Sequence, residues 1–420
     1  MGSLNENHGW NELEKNVIEQ DLCTLCGTCI GICPVSTLAF DSSKETIYDL
    51  KQSCINCGQC MKSCPGAFFD YKEMNEYLYR ASLNDINLDI GYYSEILRGH
   101  SLRKAVHEGC ASGGIATELG IYMLEQNLVD YVIGICGEYP NYSVAAISNV
   151  QDLYHTMQSK YIFIPINEII EFILHHDGKY LYIGLPCQIQ GLKKACMVNQ
   201  ILSSRIKLCV GIFCGFNMAR SATEFLIDKS NIKREEIKKI EYRAKKGTDT
   251  GFQITGSNSN FFIPKHGYTV LNAFYTRKRC WKCYDFTGEF SDISLGDAWE
   301  KKQGWSRIVV RTEQGRKLLD SMIEDGKIVC ENSSLDDIYI TQKKIISYKK
   351  RAIFTRKIFI KNFPYNNIPF QKIPFFMHFK ACIFLFIMEI GQTNLFRSLL
   401  RLCPIKLLTT ISATLRNSNN

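Results

Sequence analysis

The chain has 420 residues, 45% of them hydrophobic, which is enough for two or three domains with their own cores and excludes a disordered or fibrous protein. Its 50 Lys and Arg against 42 Asp and Glu leave a formal charge of +8, too diffuse to imply a nucleic-acid partner. Nineteen cysteines in so long a chain, behind a polar start (MGSLNENHGWNELEKN) with no apolar h-region, point to metal ligands or thiols in a reducing, cytoplasmic setting rather than to disulfides.

The first organised segment, 15–75, holds a cysteine run written twice, Cys23-x2-Cys26-x2-Cys29-x3-Cys33-Pro34 and Cys54-x2-Cys57-x2-Cys60-x3-Cys64-Pro65. This is the bacterial ferredoxin spacing. Three thiolates at three-residue intervals wrap one corner of a cubane, and the following Pro carries the fourth to the other cluster. The spacing therefore predicts Cys23, Cys26, Cys29 and Cys64 on one 4Fe-4S cluster, and Cys54, Cys57, Cys60 and Cys33 on a second. Gly27 and Gly58 fall inside the loops, where backbone N–H groups can approach the sulfurs and tune them. A zinc-organised scaffold is the competing reading of paired CxxC motifs, but zinc needs only four thiolates in two separated pairs.

After the connector YKEMNEYLYRASLNDINLD, short β-rich runs alternate with helical patterns, so 90–345 reads as an α/β-type core with a mixed sheet in an α+β chain. Strands are predicted at 131–136, 180–185, 206–213 and 307–311. The segment GGIATELGIYMLEQN predicts a helix entered through a tight glycine turn. Its start, Cys110-Ala-Ser-Gly-Gly-Ile, offers free N–H groups and a helix dipole to an anion such as a phosphate, or is simply a capped helix start. Lys160, in QSKYIF, could add a positive charge there or be a solvated lysine. TEQGRKLLDSMIEDG predicts a second helix closed by Gly326.

Cys187 follows one predicted strand in IGLPCQIQG, Cys214 ends another in VGIFCGFN, and Cys280 and Cys283 form a CxxC in RKRCWKC. Together they could supply a third 4Fe-4S cluster if their loops converge; buried free cysteines are the alternative, and Cys187 alone could be a nucleophile. Cys110, Cys136, Cys196, Cys209, Cys330, Cys382 and Cys403 read as packing residues. Asp297, in DISLGDAWE, reads as a loop acid that could cap a helix or orient a ligand. The last segment, 346–420, is rich in Lys, Arg, Phe and Ile and reads as a helical appendage, either an amphipathic membrane-surface element or a docking helix. No uncharged apolar run is long enough to cross a membrane.

With the ferredoxin run followed by CASGG, SKY, GLPCQIQGL, the FCG strand end, CWKC and DISLGDAW, residues 20 to 345 resemble the coenzyme F420 hydrogenase/dehydrogenase beta-subunit family. The resemblance implies an iron-sulfur flavoprotein oxidoreductase that exchanges a hydride with a deazaflavin or related carrier. It implies FAD near Ser112, Gly113, Gly114, Ser159 and Lys160, and a cluster on Cys187, Cys214, Cys280 and Cys283. A redox partner protein or small hydride carrier is expected; a non-catalytic electron-transfer subunit is the rival role. The tail lies outside the resemblance.

Overall fold

Continuous apolar runs and glycine turns build a mixed sheet of eight strands in this computed structural model, which describes residues 9–247, 249–299, 304–360, 362–405, 407, 408 and 410. The N-terminal module contributes the hairpin β1 (Leu38–Asp41) and β2 (Thr46–Asp49). The core follows with β3 (Glu95–Ser101), β4 (Tyr131–Glu138), β5 (Asn141–Ile147), β6 (Tyr180–Gly184) and β7 (Ile206–Ile212). Then come β8 (Ile237–Lys246), β9 (Asp249–Gly256) and β10 (Asn260–Pro264), an antiparallel sheet of their own. Last are β11 (Ile293–Asp297), β12 (Ser306–Val310) and β13 (Ile328–Asn332). The large sheet has the order β13-β3-β12-β11-β7-β6-β4-β5.

Its centre, β4-β6-β7-β11, is parallel, and the flanking pairs are antiparallel. Parallel strands covered on both faces carry unbroken apolar runs. Tyr180, Leu181, Tyr182, Leu208, Cys209 and Val210 accordingly lie buried in succession. One face is covered by α2 (Ile115–Glu125) and α4 (Glu313–Glu324), through Leu119, Tyr122, Leu318 and Leu319. The other is covered by α1 (Tyr71–Tyr79) and α3 (Pro186–Val198), through Met74, Ile189, Leu192 and Ala195. The four strands predicted from sequence and both predicted helices stand within a residue or two of where the apolar pattern put them.

Two sequence readings change. Asp297 is the last residue of β11 rather than a loop acid, because the SLGD run pairs with β12 through register Asp297 to Ser306. The segment from 346 is no simple appendage: Tyr348, Lys349, Lys350, Ile353, Arg356 and Tyr365 are buried against the core. Tyr365 and Asn366 even form a short parallel pairing with Phe69 and Asp70. The basic residues that made this stretch look like surface are inside because each meets a carbonyl or carboxylate there. The exposed apolar character expected of the tail is found on the last helices, α6 (Phe375–Gly391) and α7 (Asn394–Leu402), and on Phe354, Ile358 and Phe359 before them. Between core and tail, α5 (Leu335–Ile346) begins at Ser334 with a capping box.

Candidate functional site

The carboxyl ends of the central parallel strands are where open α/β sheets bind ligands. Here β6 runs into Leu185, Pro186 and Cys187, and the neighbouring β7 runs through Phe213 into Cys214. A four-residue helix, Lys278–Trp281, brings in Cys280, with Cys283 just after it. All four cysteines line one recess of about 560 Å³, its mouth included, and Cys23 of the N-terminal module lines it too. The three loops thus meet around one recess.

Burial and mutual crowding dominate the thiols of this recess. Burial raises the Cys187 thiol well above its ordinary value, and Cys214, Cys283, Cys26 and Cys280 raise it further. A thiol so raised is a poor nucleophile, which argues against the catalytic-thiol reading of Cys187. Cys214 is pushed up to about 12 by burial, against Lys349. Cys283 is the exception: burial raises it, but Lys349 and Arg279 outweigh burial and hold it below the ordinary value. Lys349 Nζ donates to Cys214 O at 2.7 Å and Asp285 O at 3.0 Å, and Arg356 Nη1 donates to Cys283 O at 3.0 Å. Four thiolates crowded together need positive charge, and this collar supplies part of it. Sequence reasoning missed Lys349 and Arg356, which arrive from about 70 residues downstream of the CxxC; the basic flanks of Cys280, Arg277 and Arg279, were visible in RKRCWKC.

The N-terminal module repeats the arrangement. Cys23 is pushed up to about 12 by burial with Cys64 and Cys26 adding, and Cys29 is raised by burial and then by Cys23, Cys26 and Cys64. These mutual effects bring together the first predicted set. The second set, Cys33, Cys54, Cys57 and Cys60, lines a separate recess of about 330 Å³ with Gly9 and Trp10. Backbone N–H groups reach the sulfurs: Trp10 N lies 3.3 Å from Cys54 Sγ, Leu25 N 3.4 Å from Cys23 Sγ, and Gly66 N 3.3 Å from Cys64 Sγ. Gly27 and Gly58 stand where a side chain would not fit the backbone. Both adopt left-handed φ (86° and 72°) as N-caps of short helices, and a Cβ on Gly27 would collide with the carbonyl of Pro165 in the core.

Among the described residues no three His, Cys, Asp or Glu side chains converge closely enough for one metal ion.

Helix α3 ties the sites together. Cys187 sits in its first turn, a Cβ on Gly191 would strike Thr28 Oγ1 and approach Cys26 Sγ, and Lys194 Nζ donates to Cys64 O at 2.8 Å. Asn167 N donates to Cys26 O at 2.8 Å, and its amide reaches Thr28 Oγ1 at 2.7 Å. The module thus docks with its first cysteine set toward the core recess. Its second set lies toward solvent, where Cys57 is exposed and Ile55 is 59% exposed.

The glycine turn sits elsewhere, where α2 begins. Gly113 N donates to Ser306 Oγ at 2.9 Å, and its carbonyl accepts from Ser101 N at 2.7 Å. Gly114 is left-handed, φ 78°. Ser112 Oγ donates to Trp305 O at 2.8 Å and also helps hold Asp297 down. Asp297 accepts from Arg243 Nη1 at 2.8 Å with Lys265 Nζ at 3.8 Å; burial raises it, but Arg243 and Lys265 prevail and keep its carboxyl below the usual range. Lys160 folds back, donating to the carbonyls of Thr156 (2.8 Å) and Met157 (2.9 Å), and burial pulls it down to about 8. Ser159 lies beside the Tyr161 hydroxyl. Lys245, against His107 O at 2.8 Å, shares the vicinity of Cys110 with Lys160. Near this turn, the buried atoms Arg243 Nε and Gln158 Oε1 have no hydrogen-bond partner among the described residues. A helix start ringed by Lys160, Arg243, Lys245 and Lys265 with orphaned polar atoms fits an anionic polar ligand such as a flavin dinucleotide. Arg243 and Lys245 were not legible, since nothing in EYRAKK marks a strand as facing α2.

The family model "Coenzyme F420 hydrogenase/dehydrogenase, beta subunit" matches in two parts, its N-terminal part over residues 96–171 and its C-terminal part over 177–335. The two spans together take in more than half of the chain. A 4Fe-4S dicluster domain matches residues 15–80. The chain is 26% identical over 262 residues to the coenzyme F420 hydrogenase subunit beta of Methanothermobacter thermautotrophicus, covering 59% of this chain and 87% of that one. It is 24% identical over 351 residues to the coenzyme F420-dependent sulfite reductase of Methanocaldococcus jannaschii, covering 80% of this chain but about half (51%) of that protein. In fold it is similar to a chain of the F420-reducing NiFe hydrogenase complex from Methanosarcina barkeri, with a TM-score of 0.54 at 22% identity over 67% of this chain and 98% of that one.

Proposed function

The chain belongs to the coenzyme F420 hydrogenase/dehydrogenase beta-subunit family, and from that premise we propose that it is an iron-sulfur flavoprotein oxidoreductase with three 4Fe-4S clusters and FAD, exchanging electrons with a deazaflavin or related hydride carrier. The observation that carries the reading is the convergence of Cys187, Cys214, Cys280 and Cys283 on one recess that Cys23 also borders.

FAD bound at the Ser112–Gly114 turn would supply the exchange between two-electron hydride chemistry and single electrons. Ser112 and the N–H groups at the start of α2 would face its phosphates, with Arg243, Lys245 and Lys265 offsetting the charge and Ser159 and Lys160 beside them. Lys349, Arg279 and Arg356 hold the carbonyls and thiolates of the core recess in place. The packing of α3 against Thr28 and Cys64 fixes the first cysteine set beside that recess. The exposed end at Ile55 and Cys57 would meet a one-electron partner protein, and the tail would place the molecule at the cytoplasmic surface of a membrane.

The test is anaerobic titration of the holoprotein with a reduced deazaflavin. Bleaching of flavin absorbance together with iron-sulfur absorbance supports the enzyme. Clusters that respond only to a one-electron donor, with no flavin bound, would leave the chain a non-catalytic electron-transfer subunit.

A further inference from the structure

The last two helices turn the usual surface pattern inside out. On α6 the face carrying Ala381, Leu385, Met388 and Gly391 is buried. The opposite face is apolar too, and exposed: Phe376 is 59%, Phe379 57% and Phe386 65% accessible, with Ile383 and Ile390 between and beyond them. Spaced at 376, 379, 383, 386 and 390, these residues make one continuous stripe of a 3.6-residue helix. On α7, Leu395, Leu399 and Leu402 form a second exposed stripe. Phe354, 52% exposed, lies 6.3 Å from the His378 ring and continues the patch onto the helix Ile353–Phe359. Patches of this kind mark contact with a protein or a membrane.

Charge decides between those occupants. Residues 346–420 carry 12 Lys and Arg against a single acid, Glu389; Lys349, Lys350 and Arg356 are buried, yet the segment stays basic while the rest of the chain is net negative. Lys357, Lys372, Lys380 and Arg401 are exposed around the stripes, and Lys380 lies 4.3 Å over the Phe376 ring, its stem along the apolar surface. A second copy of the chain would set the same basic segment against itself in a two-fold contact, which like charge opposes. No single helix is long and apolar enough to cross a bilayer: the 17 residues of α6 span about 26 Å, short of the ~30 Å core, and α7 leaves at 82°.

We propose that the exposed stripes of α6 and α7 dock the protein on an anionic lipid surface, with α6 lying in the interface and its basic flank on the headgroups. This deepens the membrane contact proposed above and does not depend on the redox chemistry. The docked helix is fixed to the site it serves: Phe384, on its inner side, packs 4.9 Å from Tyr348 and 6.3 Å from Phe216, and Phe216 and Lys349 line the core cluster recess. Docking therefore orients that recess relative to the bilayer.

The experiment is flotation of the full-length, iron-loaded protein with vesicles of phosphatidylglycerol and phosphatidylcholine, or of phosphatidylcholine alone. The expected result is at least about tenfold stronger binding to the anionic vesicles, weakening as salt rises from about 0.1 to 0.5 M. The double variant Phe379→Glu/Phe386→Glu should lose at least about tenfold with its iron content unchanged, while Ile340→Glu, on exposed α5, binds as the parent does. Equal binding of the parent and the double variant would overturn the assignment to this face while leaving a membrane contact standing. No binding to either vesicle, with a dimer in size-exclusion chromatography that the double variant converts to monomer, would overturn both and make the face a protein interface.

Discussion

The cysteine cradles and the glycine turn are both loops that lead into helices, yet they are assembled in opposite ways. Each ferredoxin cradle takes three of its four ligands from seven consecutive residues, so chain spacing alone fixes most of the geometry. The turn at Ser112 gathers its partners from β8, β11, the Ser306 strand start and the Lys160 loop, none of them neighbours in sequence. The core recess lies between these extremes, with two strand-end cysteines, one CxxC and a lysine from the tail. A site held together by local spacing can be read early; one held by tertiary contacts can be read only once the sheet order is known.

The sharpest way to break the contrast is at Cys187. Cys187→Ser should remove about four irons per chain and stop electron exchange between a hydride donor and the remaining clusters, whereas Cys110→Ser should leave the iron count unchanged. Equal iron in both variants would show that the core recess holds no cluster. Next in size is the buried pair of Lys350 and Glu289, 2.6 Å apart with side chains 1% and 0% exposed. Lys350→Met strands the carboxylate and should cost about 3–5 kcal/mol in denaturant unfolding, most of it regained in Lys350→Met/Glu289→Gln.

At the turn, Asp297 provides a pH signature. Its folded pKa lies below the ordinary value, so its contribution to stability is present above about pH 4 and disappears as pH falls through the folded value. Asp297→Asn should flatten that acid limb and lower stability at neutral pH by about 2 kcal/mol, with flavin occupancy falling alongside. An unchanged acid limb would mean that Asp297 is not the group held down. Gly113→Ala is the mildest change: its Cβ would stand 2.6 Å from Gly99 O and 2.8 Å from Ser306 N, both backbone atoms. A loss of about 1–3 kcal/mol is expected, with iron content unaltered.

Much of the architecture was legible because parallel strands covered on both faces write themselves as unbroken apolar runs, as in YLYIGL and IKLCVGIF. The dicluster segment was legible from cysteine spacing alone, and a 4Fe-4S dicluster domain matches residues 15–80. Asp297 was misread because a glycine two residues from the end of a strand looks like a loop, and only pairing with β12 shows otherwise. The segment after 346 was misread because charge usually means surface. Lys349 and Arg356 are buried because backbone carbonyls around Cys214, Trp281 and Cys283 receive them, a fit that no spacing rule encodes. The exposed stripe of α6, by contrast, was foreshadowed by KIPFFMHFKACIFLFIMEIG; the structure adds which face is outward.

The central claim is that three cysteine sets hold clusters and the basic turn holds a flavin. Anaerobic purification with quantitation of iron, sulfide, zinc and flavin tests it most directly. The account predicts about twelve irons and as many sulfides, with one FAD per chain. About eight irons with no flavin, or zinc as the dominant metal, would contradict it.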